Sequence, residues 1–398
     1  MVRKMGTGGV GAAAALCLAL GCGGTGASTK TDSAATSSAS TTSVTPGVAE
    51  YLTINPAAPP VYGTTYPVHY DAQVLGQDNQ TAANVLTDKG ATLGRVLFYD
   101  KRLSVNDTIA CASCHQQAKG MGDAAQFSAG FTPGTQTTAH AMRLPNARFY
   151  APGSMFWDKR APTLEFQTTQ PIQSSIEMGF DAAHGGMAAL ITKMNALPYY
   201  PELFTAVYGD AAITEDRIQR ALAQFVRSMT STHSRWDDGA AVTYNAAAPG
   251  KGLGAAKANF TASENRGQQL FFAPKNLGGA GCVACHQAPT FALIGNSKSN
   301  GLAADETRIF KSPSLKSVSA TGPYMHDGSK ATLADVVEHY NSGIQDGPAL
   351  DNRLRGPDGL PQRLNLSDAD KAALVDFLKT LQDDSLASDS RFTDPFKK

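Results

Sequence analysis

Apolar positions along this chain recur at helical rather than strand spacing, in short runs parted by long Gly- and Pro-rich connections. Thr214-x-x-Arg217 opens one run that sets Ile218, Leu222, Phe225, Val226 and Met229 on a common face. Ser367-x-x-Asp370 resembles a capping box and leads into Leu374, Phe377, Leu378 and Leu381 at the same spacing. Thr261-x-x-Glu264 caps a third run, which ends in Leu270-Phe271. Alternating patterns are scarce, so the chain predicts a mainly α fold. Connections as long as 119–160 and 287–330 are expected where a cofactor fills space that side chains would otherwise occupy.

Two strings within this pattern carry chemistry: Cys111-Ala112-Ser113-Cys114-His115 and Cys282-Val283-Ala284-Cys285-His286. Each is C-x-x-C-H, the attachment signature of a c-type haem. The thiols of Cys111 and Cys114, and of Cys282 and Cys285, add across porphyrin vinyl groups, while His115 and His286 ligate iron. A zinc site would pair the two C-x-x-C strings with each other and would need no histidine after both. The reading is two covalently bound haem c groups, one per half. Gly94-Arg95-Val96-Leu97-Phe98 precedes the first motif as Gly267-Gln268-Gln269-Leu270-Phe271 precedes the second. This repeat predicts two cytochrome-c-like helical haem domains with long loops, an N-terminal one over 80–245 and a C-terminal one over 246–398.

Composition narrows the setting. The 398 residues carry 34 basic and 34 acidic side chains, a neutrality that argues against a nucleic-acid surface. Six cysteines are present. Beyond the haem motifs only Cys17 and Cys22 remain, so the body has none for a disulfide. Arg3 and Lys4 followed by the apolar run Val10–Leu20 read as a signal peptide over 1–22, too short to span a bilayer. Leu18-Ala19-Leu20-Gly21-Cys22 resembles a bacterial lipobox, which predicts a lipid anchor at Cys22; cleavage at a nearby small residue is the alternative. Residues 23–79, rich in Ser, Thr and Pro, predict a flexible tether, with the fold beginning near residue 80. Export to the periplasmic side of a bacterial membrane agrees with where c-type haems are attached.

Further strings appear in a fixed order: Leu97-Phe98-Tyr99-Asp100-Lys101-Arg102-Leu103-Ser104, Phe156-Trp157-Asp158-Lys159-Arg160-Ala161, Leu164-Glu165-Phe166-Gln167 with Pro171 and Glu177-Met178, and Phe310-Lys311-Ser312-Pro313-Ser314-Leu315 leading to Pro323-Tyr324-Met325-His326-Asp327-Gly328. In these, over about residues 85–382, the chain resembles the bacterial di-haem cytochrome c peroxidases, with MauG as a relative. Cleaving a peroxide O–O bond needs a group that takes a proton from one oxygen and returns it to the other. The resemblance implies that Glu177 is this acid–base, that Gln167 positions peroxide and water, and that Trp157 passes electrons or holes between the haems. It implies a second-haem ligand where most members have Met; here Tyr340 holds that place, as in MauG, with His339 and Met325 as rivals. The sixth position of the first haem is open or taken by His140. A calcium ion is implied between the haems, on carbonyl oxygens of Thr321 and Pro323 plus an Asn from the N-terminal half. Where members carry Arg-Asn-x-Pro, this chain has His140-Ala141-Met142-Arg143-Leu144-Pro145-Asn146. His69, His184 and His233 are expected to be solvated or structural, and Trp236 to be packing.

The expected function is an exported di-haem peroxidase that reduces hydrogen peroxide at the N-terminal haem. Its electrons would come from a small cytochrome or cupredoxin. A MauG-like oxidase that modifies a partner protein is one alternative. A non-catalytic di-haem electron carrier is another, but it would need no acid–base pair.

Overall fold

The computed structural model describes residues 46–293 and 295–398. The leader, Cys22 and the stretch up to residue 45 lie outside the described residues. Two crossed helix pairs frame the body. Asp88–Tyr99, capped by the Thr87 side chain, packs across Glu215–Ser228, capped by Thr214. Ala262–Phe272, opened by the reciprocal capping box of Thr261 and Glu264, packs across Asp368–Lys379. Ser367 caps Asp368–Lys379, but the Asp370 carboxylate turns to Arg266 Nε at 2.8 Å, so only half of that expected box forms.

Each pair meets at a glycine. A Cβ on Gly94 would lie 2.0 Å from the Ala221 carbonyl oxygen and 2.7 Å from Phe225 Cβ. A Cβ on Gly267 would lie 1.9 Å from the Ala373 carbonyl oxygen and 2.8 Å from Phe377 Cβ. Glycine therefore permits a backbone approach that no other residue allows. Beside each crossing an aromatic pair closes the joint: Phe98 with Phe225 at 5.2 Å between ring centres, and Phe271 with Phe377 at 5.0 Å. The Gly-x-x-Leu-Phe repeat thus encodes one interhelix joint twice. Leu93, Leu97, Leu222 and Phe225 lie in one hydrophobic core; Trp236, Phe291, Leu374 and Phe377 lie in another.

Packing crosses three of the expected boundaries. The helix Arg235–Thr243 precedes the expected limit at 245, yet its Trp236 and Ala240 belong to the second core. The chain's end, assigned to the C-terminal domain, returns to the first: Leu386 and Phe392 are buried there, and Arg95 Nε donates to the Thr393 carbonyl at 2.7 Å. The tether expected over 23–79 is ordered structure from residue 46. Val48 and Leu52 enter the first core, Tyr62 N donates to Asp88 at 2.7 Å, His69 pairs with Asp237 at 3.1 Å, and Asp71 holds Lys251 and Tyr244. This strap spans both halves. Its core side chains Val48, Leu52 and Tyr62 are too few and too widely spaced to set up a period, so pattern reading misses them.

The long connections hold no strand among the described residues; isolated bridges such as Gln116–Gly122 and Tyr324–Lys330 pin them. The described residues belong to one compact unit. No described helix is long and apolar enough to cross a membrane.

Candidate active site

The two attachment motifs fold alike. Cys111–Cys114 makes one helical turn and Cys282–Ala284 one 3-10 turn, with all four thiols free. His115 Nδ1 lies 3.2 Å from the Met121 carbonyl, and His286 Nδ1 lies 3.2 Å from the carbonyls of both Phe291 and Pro313. Donation from Nδ1 fixes the tautomer and leaves Nε2 free to ligate a metal. Both presenting residues adopt the left-handed region, Met121 at φ 57° and Phe291 at φ 52°. That conformation costs about 1–2 kcal/mol for an L-residue, and its recurrence marks it as part of the device. Burial lowers the pKa of His115 and brings that of His286 down to about 4, which keeps both rings neutral, as iron ligation requires. Paired thiols beside a neutral, oriented imidazole fit a haem c in each half.

A cavity of about 440 Å³ opens beside the first motif, lined among others by Cys111, Cys114, His115, His140, Arg143, Trp157, Gln167, Pro171 and Glu177. Gln167 comes from the short helix Leu164–Thr168, whose Thr163 cap accepts from Phe166 N at 3.1 Å. Glu177 sits in the turn beyond Pro171, with its backbone N–H bonded to Ser174 Oγ at 3.2 Å. It is no solvated helix-end carboxylate: burial raises its pKa, with the Arg160 charge partly opposing. His140 is only 4% exposed; its Nδ1 faces the carbonyls of Ala125 and Gln126 at 3.1 Å, while its buried Nε2 has no partner.

A second structural repeat surrounds this cavity. The turns Met155–Ala161 and Tyr324–Lys330 are each closed by an antiparallel bridge. Phe156 and Lys159 take φ of 67° and 60° in the first; Met325 and Gly328 take 75° and 62° in the second. Trp157 and His326 hold equivalent places, and their rings meet edge-on at 6.4 Å. Trp157 Nε1 donates to the His140 carbonyl at 2.7 Å, and its own carbonyl accepts from Lys311 N at 2.7 Å. The indole is therefore fixed where the halves meet.

Each turn leads into a threonine-capped helix, from Thr163 and from Thr332. Eight residues beyond the cap stand Pro171 in one copy and Tyr340 in the other. Pro171 offers the first cavity no donor atom. Tyr340 lies beside the second attachment site, and burial pushes its hydroxyl up to about 12 despite the Asn300 hydrogen bond. Asn300 Nδ2 lies 3.5 Å from the Tyr340 hydroxyl and 3.3 Å from Met325 Sδ. His339 Nε2 instead faces the Asn300 carbonyl at 3.0 Å.

A sequence model of di-haem cytochrome c peroxidases matches residues 88–243. The methylamine utilization protein MauG of Methylophilus methylotrophus is 32% identical over 320 residues, covering 76% of this chain and 85% of that protein. The chain belongs to the di-haem cytochrome c peroxidase and MauG family. It is accordingly a c-type di-haem protein and a peroxidase-type oxidoreductase. The cytochrome c551 peroxidase of Nitrosomonas europaea is 31% identical over 265 residues, 62% of this chain and 71% of that one. The crystal structure of a MauG-like protein associated with microbial copper homeostasis superposes with a TM-score of 0.66 at 28% identity, covering 84% of this chain and 99% of that chain.

The Thr321 carbonyl, expected on calcium with that of Pro323, lies against the Arg143 guanidinium. His69 is buried and structural, while His184 and His233 are exposed, His184 paired with Asp181. Sequence reasoning missed the left-handed turns around Trp157 and His326, since Phe156, Lys159 and Met325 carry no turn signal. The shared Asp at positions 158 and 327 was the available clue.

Proposed function

We propose that this protein is exported and reduces hydrogen peroxide in the cavity of its N-terminal half. The observation that carries this reading is Glu177, a carboxyl of raised pKa lining one cavity with Cys111, Cys114 and His115. Haem c, when bound, supplies the iron that binds peroxide and the electrons that reduce it. Glu177 takes a proton from the peroxide oxygen nearer the iron and gives it to the far oxygen, which leaves as water. The Gln167 amide orients peroxide and product water. Pro171, having no ligating atom, leaves room for peroxide. Trp157, hydrogen-bonded across the seam, carries electrons or holes between the halves. Tyr340 would hold the second haem iron through its phenolic oxygen. The electron donor is a small cytochrome or cupredoxin, and Cys22 anchors the mature chain to lipid.

The test is Glu177→Gln in the holoprotein. Both haems and their reduced spectra should persist while peroxide turnover falls by about two to four orders of magnitude. Turnover close to wild type would leave Glu177 a structural residue. The second reading, oxidation of a partner protein in the manner of MauG, is favoured by Tyr340 in the place where most members have Met. Brisk turnover with a small donor cytochrome selects the first reading over the second.

A further inference from the structure

We propose that Asp123 is a positioning residue of the first haem, a buried fixed charge that favours oxidised iron there and lowers that haem's reduction potential. The observation that carries this is an asymmetry within the attachment repeat. In each half the residue after the histidine bridges to a short return of the chain: Gln116 N donates to the Gly122 carbonyl at 2.9 Å, and Gln287 N to the Ala292 carbonyl at 3.1 Å. The residue before each bridge, Met121 or Phe291, takes the left-handed region and offers its carbonyl to the ligand histidine. The residue after each bridge is Asp123 in the first half and Leu293 in the second. Both are buried, at 6% and 3% exposure. One fold position thus carries a carboxylate beside one attachment site and a hydrocarbon beside the other.

The carboxylate sits in a built cradle. Ser128 Oγ donates to Oδ2 at 2.6 Å, while Ala125 N and Gln116 Nε2 donate to Oδ1 at 3.1 and 3.2 Å. Hydrogen bonds of this kind favour the ionised form. All three donors are uncharged, so they disperse the charge without cancelling it. Asp123 is not a wall of the cavity, and its bonding is complete without the haem. Two of its partners reach the attachment site: Gln116 follows His115, and the Ser128 hydroxyl faces Cys114. The charge is felt at the ligand ring. Burial lowers the pKa of His115, and the Met121 carbonyl and the Asp123 charge oppose it; on His286 only the carbonyls of Phe291 and Pro313 oppose burial. Inside a protein, where screening is weak, a fixed negative charge favours the more positive iron state. A charge already in place supports the loss of electrons that peroxide reduction demands, with no reorganisation.

The inference rests on haem attachment at Cys111 and Cys114 and not on the role of Glu177, and its readout is a potential rather than turnover. Holoprotein is titrated by spectroelectrochemistry, each haem followed by its own EPR signal, for wild type, Asp123→Asn and Asp123→Glu. Asp123→Asn is close in shape but neutral. It should move the first haem's reduction equilibrium about tenfold towards the reduced form, about 59 mV for one electron, and leave the second haem unchanged. Asp123→Glu keeps the charge and should restore most of the wild-type value. A first-haem midpoint unmoved in Asp123→Asn, an equal shift at both haems, or the same midpoint in Asp123→Glu as in Asp123→Asn would each overturn the inference. Should Asp123→Asn not take up haem, the reciprocal pair decides. Leu293→Asp should hold the second haem at a lower midpoint than Leu293→Asn does, and equal midpoints would overturn the inference.

Discussion

Pro171 and Tyr340 stand at the same step of one turn-and-helix unit used twice, and under the proposed ligation this difference separates the chemistry of the two haems. A phenolic oxygen favours the more oxidised iron, whereas a thioether favours the reduced form. Tyr340→Met should therefore raise the midpoint potential of the second haem and leave the first near its wild-type value. Tyr340→Phe should remove the ligand and bring in Met325, whose sulfur already shares the Asn300 amide with Tyr340. Redox titration of the two variants checks this; unchanged second-haem potentials in both would take Tyr340 out of the coordination sphere. Much at this scale was legible in the sequence. The attachment motifs follow from motif chemistry alone; family spacing picked out Gln167 and Glu177, which the structure brings to one cavity, and Tyr340, whose proposed ligation these variants test. The contacts of Arg143 with Thr321 and Tyr324 were not, because partnership across a seam leaves no local signal.

At the scale of elements, the glycine joints are the most exposed to test. Gly94→Ala and Gly267→Ala each push a methyl to about 2 Å from a backbone carbonyl of the crossing helix, where no flexible side chain can yield. Overpacking of this kind costs about 1–3 kcal/mol or more. Both should lower the midpoint of chemical denaturation, whereas Gly63→Ala, with open space around it, should not. Equal midpoints for all three would refute the joint. The helices were readable because capping residues and a helical period coincide at Thr214, Thr261 and Ser367. The turns at Met155–Ala161 and Tyr324–Lys330 were hidden because their left-handed positions are mostly filled by residues that rarely take them, and tertiary contacts hold them there.

Over the whole molecule, two haem halves are held by pieces that belong to neither repeat. The strap over 46–79 touches both cores, and the tail ending at Lys398 crosses back to the first. Deleting 46–79 while keeping the leader should lower the holoprotein's melting temperature and broaden its transition as the halves uncouple. A deletion that melts sharply at the wild-type temperature would return this segment to the role of a tether. Neither crossing was visible in composition, which reported only Ser, Thr and Pro.

Peroxide chemistry in the first cavity is the central claim, and the pH dependence of kcat/KM for peroxide tests it most directly. Glu177 must be ionised to accept the first proton. Burial raises its pKa above the usual carboxylate value of 4.5, so it is protonated, and unable to act, at pH values where an exposed glutamate is already charged. As pH falls, kcat/KM should therefore decline through an apparent pKa above 4.5. In Glu177→Gln that acid limb should vanish, leaving a low, flat profile. An identical acid limb in wild type and variant, with similar plateau rates, would contradict the account.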